Sequence, residues 1–385
     1  MSELIHYLIT FLLHGKEEAA ASVGYTDNTD EWSQYKVVIR PNGHLAHDWV
    51  LPDLRTPVFT PVQGTKTLLI ETDILYNTLF FTSRAEETLV RQRDEHGRFV
   101  ARYSLLGNEN RLMIPLVDEY SRLLLKALDL TMPTKQFDRI YLTHDIDTIA
   151  YYRSLRGALG GIRRGEWQQV KRAWHSLNDD PAYTFPWLIQ QDSRVSGATA
   201  VYFAKDTHGK GYDYPQFCLH GRDWRETRRL LEDHHAIIGL HSGYDGYLPP
   251  HDRAGIHRQY HRSHYLRCSI EQMQRLADAG IEHDFTMGFP DQAGFRLQTS
   301  RPIRWFNPVT MRLTRLTLHP LIVMDATLHR QEYMHLSEDE AYFYCQELFD
   351  RVRLHHGELT LLWHNSNING QTYHKSLYPK LLQLL

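Results

Sequence analysis

A chain of 385 residues that is 42% hydrophobic and 23% charged holds enough apolar material for one large domain and a smaller one. Its formal net charge of -3 offers no electrostatic footprint for nucleic acid. The three cysteines, Cys218, Cys268 and Cys345, show no Cys-x-x-Cys spacing, so neither a disulfide framework nor a cysteine zinc site is indicated; a reducing compartment is the simpler reading, with cytoplasmic residence as the default.

The first residues, Met1 to His14, are apolar but lack the positive leader of a signal peptide, and the run is too short to span a bilayer; it reads as a strand or helix. Short β-rich runs follow at 35–39 and 67–70, and the spacing over 73–87 fits a helix with a buried side. Residues 94–99 have the composition of a turn. Apolar side chains recurring at threes and fours predict a helix over 116–130, and Thr131 to Gln136, with its proline, breaks the pattern as a linker. Residues 1–130 are therefore expected to form a small α+β domain and 138–385 a second, larger one.

From residue 138 apolar runs alternate with helical stretches. Strands are predicted at 139–144, 198–204, 236–241, about 264–267, 284–289, 320–325 and 359–364, mostly separated by enough chain for a crossover helix. Ser269 to Gln272 and Ser337 to Glu340 have the capping-box spacing that opens a helix. Seven β-α units in series imply a parallel barrel or a doubly wound sheet, and in both architectures function gathers at the carboxyl ends of the strands.

Those ends are rich in ionisable groups. Asp145 and Asp147 close the first strand and point to one side of an extended backbone, so they can share a metal or divide metal binding and proton transfer. Asp-x-Asp is also ordinary turn chemistry. His241 and Asp245 stand four apart, a spacing that brings them together on a helical turn; with Asp147 they make three mixed donors and leave a position open, as in a catalytic zinc site. Asp245 precedes Gly246, so a plain turn is the alternative. His364 follows an apolar strand, where a neighbouring carboxylate could keep it protonated as a general acid. The 24 histidines suit such chemistry, although most must be packed or surface residues.

Thr143-His-Asp-Ile-Asp147, Gly239-Leu-His-Ser-Gly-Tyr-Asp245 and Leu361-Leu-Trp-His364 together resemble the first, second and last motifs of the polysaccharide deacetylase family, carbohydrate esterase family four. The resemblance implies a distorted (β/α)7 barrel and metal-dependent removal of N- or O-acetyl groups from a sugar or polysaccharide, with a divalent ion, usually zinc. It assigns Asp145 as catalytic base, Asp147 and His241 as metal ligands and His364 as general acid; Asp245 replaces the second histidine of the family's His-x3-His pair. Arg262, with Arg267 as second choice, would orient the base, and Asp284 would pair with that arginine. Gly294 to Pro302 is similar to a stretch of a bacterial subgroup that carries an N-terminal domain of unknown function. Arg296 and Arg301 would then line the substrate cleft, surface salt bridges being the alternative, with Tyr244, His264, Arg267 and Trp363 as further sugar contacts. The readings that compete are a glycan-binding or assembly protein on the same barrel, and an amidohydrolase of a small non-sugar amide.

Overall fold

The computed structural model of the chain describes residues 2–45, 48–109, 111–214, 216–368 and 372–385. The N-terminal part opens with the helix Ser2–Leu12 and builds a small sheet from β1 (Val23–Tyr25), β2 (Val37–Ile39), β3 (Phe59–Pro61) and β4 (Leu68–Ile70), in the order β1-β2-β4-β3. Its core is closed by the helices Ile74–Thr82 and Leu116–Ala127, with Leu8, Leu12, Val37, Ile70, Phe80 and Leu124 all buried. Every residue of the first of these two helices is buried, which explains why its apolar run is continuous rather than striped.

The larger part holds β5 (Arg139–Ile146), β6 (Thr199–Asp206), β7 (Ile237–Ser242), β8 (His257–Ser263), β9 (His283–Met287), β10 (Ile303–Asn307), β11 (Arg312–Met324) and β12 (Glu358–Leu362). Seven of them run parallel in the order β11-β12-β5-β6-β7-β8-β9, and β9 pairs back onto β11 through Thr317↔His283 and Leu318↔Asp284, closing the ring. The (β/α)7 barrel and the smaller α+β domain read from the sequence are both present. β10 was not foreseen; it lies antiparallel to β11 outside the ring. The strand expected at about 264–267 is instead His257–Ser263, and His264–Leu266 forms a short 3-10 turn. Its sequence, HRQYHRS, is too polar to register as an apolar run. Both capping boxes form, Ser269 with Gln272 and Ser337 with Glu340, at the starts of Ile270–Asp278 and Glu338–Leu354.

The two-residue period of the strands decides which chemistry faces the lumen. On β5, Leu142 and Ile146 join the outer core against the helices, and Tyr141 packs with Val201, Phe203 and Phe285 inside the ring. Above that floor the same alternation presents Asp145 and Asp147. The lumen floor is finished by His319, which stacks on Phe285 at 4.2 Å and binds Glu358 at 2.7 Å.

The two parts are bolted together by buried charge. Glu87 takes Arg84 at 2.6 Å and Arg296 at 2.7 Å, and Asp118 takes Arg301 at 2.9 Å together with the hydroxyls of Thr299 and Ser300. Arg84 also reaches across to donate to the Cys268 carbonyl at 2.7 Å. Such pairs are costly to break because a lone charge remains in the interior, worth about 3–5 kcal/mol.

Candidate active site

Three donor atoms meet at the carboxyl end of the barrel. Asp147 Oδ1 lies 3.7 Å from His241 Nε2 and 3.2 Å from His264 Nε2, and one ligand atom from each residue falls within 4.8 Å of the others. Tetrahedral zinc with bonds of about 2.0–2.1 Å would space its ligands by roughly 3.3 Å, close to both distances. Each imidazole is held from behind. His241 Nδ1 donates to the Arg262 carbonyl at 3.0 Å and His264 Nδ1 to Asp213 Oδ1 at 2.8 Å, so both present the lone pair of Nε2 to the centre. Burial pushes the His241 imidazole down to about 4, which keeps it neutral, and His241 Nε2 and Asp147 Oδ1 have no hydrogen-bond partner although both are buried. Buried polar atoms are rarely left so; the set fits a divalent ion. Burial alone would raise the Asp147 carboxyl, but His264, first among its neighbours, with His241 and Lys205 holds it far below the usual carboxylate range.

Asp245 is not among the three. Its side chain is exposed and accepts from the Tyr247 amide at 3.0 Å, and Gly246 follows at φ +76°, the turn that the Asp-Gly pair also allowed. His264, expected to touch sugar, stands in its place. It arrives from the next strand: β7 and β8 pair with His241 opposite Arg262, so His264, two residues on, returns to the same face. The chain then turns sharply with Tyr265 at φ 60° and Leu266 at φ 53°, positions that cost non-glycine residues about 1–3 kcal/mol each.

Two more groups flank the triad. Asp145 Oδ2 is 3.8 Å from His241 Nε2 and 3.8 Å from His364 Nε2, while its other oxygen accepts from Arg262 Nη1 at 3.0 Å. Arg262 is fully buried, lies with its guanidinium 4.5 Å from the Phe203 ring centre, and donates through Nε to the Phe285 carbonyl at 3.0 Å. His364 donates from Nδ1 to Asp325 Oδ1 at 2.7 Å. Burial works against its charge, but the Asp325 carboxylate, helped by Asp145 and Asp147, raises it to about 9.

The remaining expected residues have other places. Asp284 does not pair with Arg262: the strand alternation turns Phe285 into the lumen, and Asp284 accepts from His261 Nδ1 at 2.8 Å and from the Thr286 hydroxyl at 2.7 Å. Trp363 is fully buried on the helix side of β12, stacked 4.9 Å from Tyr378. Arg296 and Arg301 are the interdomain bolts already described, so neither lines the cleft. Arg267 donates to the carbonyls of His96 and Tyr244 at 2.9 and 2.8 Å, and Tyr244 is half-buried with its hydroxyl 3.2 Å from His96 Nδ1.

Sequence reasoning missed Asp213, Lys205 and Asp325. Lys205 Nζ lies 3.9 Å from Asp147 Oδ1. Lys205 and Asp325 sit at the ends of β6 and β11, where the strand-end rule would have flagged them. It also missed the loop 93–103 of the N-terminal domain, which supplies one wall of the 560 Å³ pocket holding Asp145, Asp147, His241, His264 and His364. Arg98 pins that loop, donating to the Tyr265 carbonyl at 3.2 Å and the Tyr333 hydroxyl at 3.0 Å. A larger cleft of about 1480 Å³ leads away from Asp147 and His264. No helix among the described residues is long and apolar enough to cross a membrane.

No functionally curated protein matches the sequence. Among solved structures the chain is similar to a candidate polysaccharide deacetylase from Mycobacterium smegmatis, with 13% identity and a TM-score of 0.41 over 66% of this chain and 85% of that one. It is similar also to a candidate polysaccharide deacetylase involved in O-antigen biosynthesis from Bordetella bronchiseptica, with 13% identity and a TM-score of 0.31 over 65% and 90%. Residues 7–133 match a family of unknown function (DUF7033), which accounts for the N-terminal part of the chain.

Proposed function

We propose that this chain is a metal-dependent hydrolase that removes acetyl groups from an N-acetylated, or O-acetylated, sugar or polysaccharide. The observation that carries the reading is the convergence of Asp147, His241 and His264 on one point, with a carboxylate and a protonated imidazole on either side of it, both 3.8 Å or less from their nearest partner in the cluster. A divalent ion held by these three side chains, zinc by the chemistry of a two-nitrogen, one-oxygen donor set, supplies Lewis acidity toward oxygen.

The chain's own groups divide the rest. Asp145 is fixed by Arg262 and faces the centre with its free oxygen, the position from which a carboxylate takes a proton from the attacking water. His364, held charged by Asp325, stands across from it and gives its proton to the departing nitrogen or oxygen as the carbon-heteroatom bond breaks. Two groups of opposite protonation on either side of a metal site are what hydrolysis of an amide or ester requires, since one proton must be taken and another returned. An open cleft with exposed Tyr212 and Tyr214 along it suits a glycan better than a small enclosed amide. The three unpaired cysteines fit a reducing compartment.

The test is acetate release from a panel of acetylated oligosaccharides by zinc-loaded protein, with Asp145→Asn beside the wild type. The proposal expects the variant to keep its zinc and lose turnover. Wild-type rates in Asp145→Asn would remove the base from the mechanism.

A further inference from the structure

Between β5 and β6 the chain makes a helical hairpin, Leu155–Arg163 and Trp167–His175, whose amphipathic faces are inverted. The inner side is closed by a small cluster of Tyr152, Val170 and Ala173, with Gly161 so close that a Cβ there would meet Val170 at 2.6 Å. The outer side carries Leu155, Leu159 and Ile162, 79%, 57% and 52% exposed and spaced at i, i+4 and i+7, so they form one stripe. The second helix adds the exposed Trp167 and Trp174, seven residues apart and so on one face of it, at 57% and 50% exposure. Five large apolar side chains left exposed on one hairpin call for a partner.

The charge around it says which. Between residues 153 and 172 stand Arg153, Arg156, Arg163, Arg164, Lys171 and Arg172, against the single acid Glu166, in a chain that is net acidic. Arg153 is taken by Asp223 and Arg164 by Glu166, both at 2.8 Å; Arg163, Lys171 and Arg172 carry no ion pair among the described residues. Exposed aliphatic side chains do nothing for a hydrophilic glycan, and two copies meeting face to face would oppose their cations. An apolar stripe with tryptophans at its edge and cations beside it matches an anionic lipid surface, where the side chains enter the headgroup boundary and the cations meet phosphate.

We infer that this hairpin seats the protein on an anionic membrane surface as a peripheral, non-spanning anchor. The hairpin walls the larger cleft whose other end holds Asp147 and His264, so seating it turns the cleft toward the lipid headgroups. Docking itself is independent of the deacetylase reading; that the sugar acted upon is carried on a lipid rests on it.

The experiment is sedimentation of the full chain with vesicles of phosphatidylcholine alone or with phosphatidylglycerol, at low and at high salt. Binding to the anionic vesicles, weakened by salt and reduced about tenfold or more in Leu155→Ser/Leu159→Ser/Ile162→Ser, is the expected result. A second variant, Arg163→Ser/Lys171→Ser/Arg172→Ser, should lose the salt-dependent part, and thermal melts of both variants check that the fold is intact. No binding to anionic vesicles, or binding that neither folded variant changes, overturns the inference. So does a dimer in light scattering that the apolar variant dissolves, or capture of a soluble acidic polysaccharide in place of vesicles.

Discussion

Replacing Asp325 by Asn tests the acid side of the site. The wild-type carboxylate accepts from His364 Nδ1 through Oδ1 at 2.7 Å and from the His364 amide through Oδ2 at 2.8 Å; an asparagine, with one carbonyl oxygen, can keep the bond to Nδ1 while losing the other and the charge. His364 is raised from 6.5 to about 9 against the opposing effect of burial, with Asp325 the first of the groups that raise it. That displacement corresponds to roughly 3 kcal/mol in favour of the imidazolium, at about 1.4 kcal/mol per pH unit. Because the folded value lies above the unfolded one, this stabilisation is complete below pH 6.5 and is lost as pH rises through about 9. In Asp325→Asn most of it should vanish. Histidine-selective NMR titration of the chelator-stripped protein, with the resonance assigned through His364→Gln, should find wild-type His364 titrating near 9 and the variant's at or below the free value. The basic limb of the pH-rate profile should move down in parallel. A wild-type His364 that titrates near 6.5, or one that Asp325→Asn leaves unmoved, would refute the argument.

Arg262→Met should cost about 3–5 kcal/mol in denaturant unfolding, since it leaves the Asp145 charge buried without its partner; a loss under about 0.5 kcal/mol would mean that the pair contributes little. Arg301→Ala should destabilise by a similar amount through Asp118, without changing zinc content or KM, as expected of a bolt between the two parts. A raised KM at unchanged stability would return Arg301 to the cleft.

Much of this was legible in the sequence because buried parallel strands write themselves as apolar runs ending in polar residues. Asp145, Asp147, His241 and His364 were found that way, at the ends of β5, β7 and β12. β8 failed the same reading because its first half, His257 to Tyr260, is exposed or half-buried and its buried end is polar, His261, Arg262 and Ser263, and β10 because a short antiparallel strand beside a barrel carries no crossover signal. The third donor was sought four residues beyond His241, as if the backbone there were helical. It lies instead one strand over, a neighbour fixed by the register of His241 opposite Arg262, and register between distant strands cannot be read from local spacing. Asp284 was expected to pair with Arg262 and Trp363 to contact sugar; the alternation of the chain at both places turns them away from the lumen. Arg296 and Arg301 reach into the N-terminal part instead, a contact that exists only once both parts are folded.

Zinc binding to the chelator-stripped protein, followed by calorimetry and elemental analysis, tests the central claim most directly. One equivalent is expected for the wild type and for Asp245→Ala, with binding weakened by about a hundredfold or more in Asp147→Ala and in His264→Ala. Stoichiometric, undiminished zinc in His264→Ala, or its loss in Asp245→Ala alone, would contradict the account.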